Sequence, residues 1–206
     1  MDKTIEELFK EKNNQILKDK LLLDIDNNDD SLRLTSKNKV ILITSNIVRK
    51  INSLLRDNEI EYDVKTLKEM FEQYSDNIVR YVYELLSVRR NNISNSISEG
   101  NKTSLDDLEK TINECASEFK TKFEPGLDQI IHSSLREDIL GKYTFKEEEQ
   151  KDNLVLILER YDSELYQSID TCLLERNISL LNMFKETSNK VLELDIKTTG
   201  KIIEKK

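Results

Sequence analysis

An all-α fold is predicted: an elongated up-and-down helical bundle of about five to six helices, with coiled-coil-like packing and one long C-terminal helix. Three observations carry it. Residues 1–99 contain no glycine or proline, and the whole chain of 206 residues has four glycines and one proline, where average usage supplies roughly 25 of the two together. Aliphatic residues recur at helical spacing along most of the chain. Charged residues make up 35% and apolar residues 37%, so each helix has only a narrow stripe to bury and a wide face to solvate.

Thr4 and Glu7 form a capping box ahead of Ile5, Leu8, Phe9, Ile16 and the leucines 21–23, which places a first helix over 4–23. The stretch DIDNNDDSLRLT, residues 24–35, is polar and acidic enough to break that pattern. It is read as an acidic interhelical loop, leaving 1–23 semi-independent within a single domain spanning 1–206. Thr35 or Ser36 then caps a second helix carrying Val40, Ile43, Ile47, Ile51, Leu54 and Leu55.

Asp63 caps a third helix, in which Leu67, Phe71, Tyr74, Ile78, Tyr81, Leu85 and Val88 alternate steps of four and three, the spacing of a heptad seam. Residues 91–104 read as a fraying end and a turn around Gly100. The fourth helix bears Leu105, Leu108, Ile112, Cys115 and Phe119 on one face. Pro125 either kinks it or starts a fifth, because proline lacks the amide donor and suits a first helical position. Ile130, Ile131, Leu135 and Ile139 continue the apolar face to Gly141.

Thr144 and Glu147 launch the last helix, where the period changes. Leu158, Ile169, Leu180 and Val191 recur every 11 residues, as do Tyr161, Cys172, Met183 and Leu194. Eleven residues in three turns keep a helix nearly straight. Short connections make consecutive helices antiparallel, and on that register the last helix outruns its neighbours beyond residue 184. Phe184, Val191 and Leu194 are then either covered by Leu8 and Phe9 of the first helix or open to a partner. These five are the candidate partner-contact residues.

Charge and motifs narrow the function. A net charge of −8, a pI near 5.0 and dispersed basic residues give no footprint for nucleic acid, so none is expected as a partner. No apolar run reaches membrane-spanning length, and the first residues lack the apolar core of a signal peptide, so a cytoplasmic location is expected.

Asp24, Asp26, Asn28 and Asp30 occupy the early positions of a calcium loop. Asp29 and Thr35 stand where that loop needs its glycine and its bidentate glutamate. Glu69 with Glu72, and Glu159 with Asp162, give acidic pairs on helices that resemble the Mg²⁺-holding motifs of MazG-like pyrophosphohydrolases, although the two pairs lie far apart in sequence. His132 is the single histidine, and Gln129 precedes it where a di-iron bundle carries glutamate. Cys115 and Cys172 lack metal-ligand spacing.

No catalytic residue, cofactor or metal ligand is therefore expected. The leading expectation is a non-enzymatic helical interaction module: a scaffold, adaptor, assembly chaperone or inhibitor that packs against a helical protein partner or a second copy of itself. The alternatives are an all-α metal-dependent nucleotide or phosphoester hydrolase using the acidic pairs, and a substrate of a specialised secretion system carrying Tyr166 and Asp170 as a Tyr-x-x-x-Asp signal.

Overall fold

The computed structural model describes residues 4–100 and 104–204, and no strand occurs among them. The chain is all-α. Helix α1 (Ile5–Asp57) is followed by α2 (Val64–Glu99) and α3 (Leu105–Asp128). A π-helical segment, Gln129–Leu135, continues α3 directly into α4 (Arg136–Lys142), and α5 (Glu148–Glu204) completes the chain. With α3, the π segment and α4 counted as one continuous helix, the described residues form four helices against the five to six expected, chiefly because the two expected at the N-terminus are one.

That fusion corrects the acidic loop. Residues 24–35 are helical, in the middle of α1. Their composition breaks the hydrophobic pattern but leaves its period intact: Leu21, Leu32 and Ile43, then Ile25, Ser36 and Ile47, then Asp29, Val40 and Ile51 follow one another at intervals of 11 and all are buried. Several polar residues thus lie inside the packing, where Asn28 bonds to Arg89 and to the Arg176 carbonyl oxygen, and acids on the flanks find partners. Asp26 pairs with Arg90 at 2.9 Å, and Asp24 accepts a hydrogen bond from Thr187 at 2.6 Å. A helical backbone also cannot wrap the six or more oxygens of a calcium loop around one ion.

The same period governs α2. Its buried rows are Leu67, Ile78 and Arg89; Phe71, Val82 and Ile93; and Ser75, Leu86 and Ile97. The expected heptad seam therefore drifts off the core: Tyr74, Tyr81 and Leu85 are half-buried and Val88 is exposed. Seven residues fall short of two turns of a straight helix, whereas 11 residues come close to three. On α5, Leu158, Ile169, Leu180 and Val191 are buried as expected.

The α1/α2 connection is made without glycine. Glu59 takes a left-handed φ of 54°. Its amide donates to the Arg56 carbonyl oxygen at 3.1 Å, and that of Ile60 to the Leu55 carbonyl oxygen at 2.9 Å. This is a Schellman closure in which buried Leu55 and Ile60 supply the accompanying apolar residues.

Packing resolves into two compact units. The first combines Met1–Ser31, Val88–Ala116 and Leu174–Lys206. Its core clusters Leu21 and Ile25 with Ile93, Ile97, Leu108, Ile112, Cys115, Leu180 and Phe184. The N-terminal segment read as semi-independent joins this core through Leu17, Leu21 and Leu22.

A polar layer crosses the same unit. Arg89, only 1% exposed, donates from Nη2 to Asn28 Oδ1 at 3.0 Å and to Asn177 Oδ1 at 2.9 Å. Asn28 donates onward to the Arg176 carbonyl oxygen at 2.9 Å. Burial lowers the guanidinium pKa to about 10, against which the equally buried Asp29 acts to keep it charged.

The second unit combines Leu32–Ser87 and Ser117–Leu173. Tyr161 hydrogen-bonds the Thr44 hydroxyl at 2.6 Å inside its core. Phe123 is stacked with Tyr81 and Tyr166 and packs against Phe119 at a ring separation of 5.3 Å. Pro125 neither ends α3 nor opens a new α-helix, and the π segment begins four residues beyond it. Gly126 lets Tyr81 approach: a Cβ there would lie 2.2 Å from the Tyr81 hydroxyl, which donates to the Lys122 carbonyl oxygen. No described helix is long and apolar enough to cross a membrane.

Candidate functional site

The second unit brings three potential ligand groups together where α3 passes into the π segment. Asp128 is the last residue of α3, His132 lies at the centre of the π segment, and Asp162 faces them from α5. Around His132, Ile131 and Leu135 point into the core and fix the segment against it. The wider π turn is visible at its end, where the Arg136 amide donates to the Ile131 carbonyl oxygen five residues back. His132 is thereby held at the rim with 24% of its side chain exposed, beside Asp162 at 19% and Asp128 at 59%.

His132 Nε2 is 3.1 Å from Asp162 Oδ2 and 3.3 Å from Asp128 Oδ1. Burial first, then a hydrogen bond with Asp128 and its charge, push the Asp162 carboxyl up to about 6 against the opposing imidazole. Two carboxylates close together resist double ionisation unless a cation lies between them. Chemically the arrangement can share a proton between the acids, hold an imidazolium, or present one nitrogen and two oxygens to a metal ion. It is the one such group of three among the described residues, its ligand atoms all lying within 4.8 Å of one another.

Of the acidic pairs singled out from sequence, only Asp162 enters this cluster. Glu69 and Glu72 are exposed and pair with Lys65 and Lys68 one turn earlier, and Glu159 is exposed. Asp128 is not among the residues singled out from sequence: its signal is an Asp-x-x-x-His spacing that puts both side chains on one helical face, whereas the di-iron pattern needs glutamate where Gln129 stands. Cys115 and Cys172 are buried.

The five candidate contact residues are distributed differently. Phe184 is fully buried in the core of the first unit and so presents no surface. Val191 is buried too, lining with Lys10, Asn13, Leu17 and Leu192 a cavity of about 220 Å³ between α1 and α5. Leu8 and Leu194 are exposed, and the side chain of Phe9 lies outside the described residues.

Exposed apolar residues that the sequence reading left out lie on α5 of the same unit. Leu174, Ile178 and Leu192 are 58%, 56% and 57% exposed. At 100° per residue they fall, with the partly buried Leu181, within an arc of about 60°. In comparisons with known proteins, the chain matches no family model, no curated protein and no solved structure.

Proposed function

We propose that the chain is a non-enzymatic helical interaction module that works by helix-on-helix packing, with the α5 face of its first unit as the contact surface. The observation that carries this reading is the alignment of Leu174, Ile178 and Leu192 on one narrow face, each more than half exposed. Scattered exposed leucines are ordinary; aligned ones over five turns are the pattern by which an amphipathic helix docks a partner. On α1 of the same unit, Ile5 and Leu23 are 18 residues apart, hence on one face, and both are exposed. A helical protein or a second copy of the chain suits such a stripe, and the acidic composition disfavours nucleic acid.

The test is affinity capture of the full chain from its native host with mass measurement of the complex. A stoichiometric protein partner or dimer is expected. It should weaken at least about tenfold in an Ile178→Glu, Leu192→Glu double variant of unchanged helicity, since charge at an apolar contact costs well over 1.4 kcal/mol. A wild-type chain that stays alone and monomeric contradicts the proposal.

A further inference from the structure

We propose that Asp128, His132 and Asp162 form a binding site for a divalent transition-metal ion of the zinc class. The inference is independent of the contact surface on α5.

The first argument is one of donors and acceptors. His132 approaches both carboxylates with the same atom, Nε2, at 3.1 and 3.3 Å. An imidazole nitrogen carries one N–H at most, charged or neutral, and one N–H aims at one acceptor. Whichever aspartate receives it, the other faces Nε2 without an N–H, and without a cation the two close carboxyls must share a proton. A cation seated among the three atoms serves all of them at once, using the Nε2 lone pair and one oxygen from each acid.

The second argument is one of size. Bonds of 2.0–2.1 Å put neighbouring ligand atoms ~3.3 Å apart around a tetrahedral ion and ~3.0 Å apart around an octahedral one. The two nitrogen–oxygen separations at His132 fall on that range, and the two oxygens lie within 4.8 Å of each other. The third argument is charge: two ionised aspartates and a neutral histidine sum to −2, which a dication cancels.

The ligand types select the metal. Imidazole with two carboxylates suits Zn²⁺ and its neighbours, whereas Mg²⁺ and Ca²⁺ favour all-oxygen sets. Three protein ligands leave at least one coordination position to water, the condition that separates an open site from a closed structural one. Binding would also clamp α5 to the α3–π junction and raise thermal stability, because the assembled ligand set exists only in the folded state.

The experiment is titration of the full-length chain with Co²⁺ followed by visible absorption, with Zn²⁺ as competitor and thermal melting as a second readout. One Co²⁺ per chain is expected, displaced by Zn²⁺ but not by Mg²⁺, with d–d bands, no thiolate charge-transfer band and a raised Tm. His132→Gln should weaken binding at least about a hundredfold. Asp128→Asn, a change at an exposed side chain that leaves packing intact, should weaken it and abolish the Tm rise. Absence of binding, equal binding in both variants, or thiolate bands from Cys115 or Cys172 would overturn the proposal.

Discussion

Arg89→Met should destabilise the protein by about 3–5 kcal/mol, the cost of stripping a buried, hydrogen-bonded guanidinium from a layer that also holds a buried acid. Methionine matches much of the side-chain length, so little of the loss is cavity. What remains is an Asp29 carboxylate without its buried counter-charge, and the Asn28 and Asn177 side-chain oxygens without the guanidinium that bridges them. Restoring electrical balance should therefore restore stability: an Arg89→Met, Asp29→Leu double variant is expected to recover at least half of the loss. Denaturant unfolding followed by far-UV circular dichroism measures both. A single-variant cost below about 1 kcal/mol would mean that the layer contributes little.

Phe123→Ala is expected to cost about 3–5 kcal/mol, the range for truncating a fully buried aromatic ring. The ring lies between Tyr81, Phe119 and Tyr166, at centroid separations of 6.3, 5.3 and 6.2 Å. Three neighbours cannot all collapse into one gap, particularly with Tyr81 tied to the Lys122 carbonyl oxygen and lodged against Gly126. Phe123→Leu should cost roughly half as much, because it keeps most of the volume and loses the ring geometry. Denaturation midpoints of the two variants check the order, and equal costs would show that volume does not control this site.

The helical class was legible because absent breakers and apolar spacing are local properties. The last helix was legible for the same reason, since its 11-residue rows Leu158–Ile169–Leu180–Val191 are apolar at every step. The N-terminal half carried the same period in a form that composition hid. In α1 the row Ile25–Ser36–Ile47 substitutes a hydroxyl for an aliphatic group, and Asp29–Val40–Ile51 opens with an acid. Hydropathy reads such positions as surface, and the buried charge of Arg89 that accompanies Asp29 is distant in sequence. On α2 a chance heptad, Leu67 to Val88, competed with the true rows because Ser75 and Arg89 do not look like core residues. The first turn was legible from the Asp63 cap, but its closure was not, since Glu59, a left-handed residue other than glycine, leaves no mark in sequence.

The cluster of Asp128, His132 and Asp162 was half legible. Asp128 and His132 are one turn apart and were open to inspection, but the contribution of Asp162 depends on how α5 packs against the π segment. Counting levels located the stretch of α5 beyond residue 184 but could not tell its covered side, with Phe184 and Val191, from its open one, with Leu194. Among the described residues, the other exposed leucines and isoleucine on α5 of the first unit are Leu174, Ile178 and Leu192.

The account rests on α1 being one helix through its acidic stretch, because the polar layer, the buried rows and the first unit all depend on it. Hydrogen–deuterium exchange resolved along residues 24–35 tests this most directly. Amides of an internal helical segment packed on three partners should exchange at least about a hundredfold more slowly than in unstructured peptide, much as those of 40–51 do. Exchange of 24–35 at unstructured rates, between protected flanks, would contradict it.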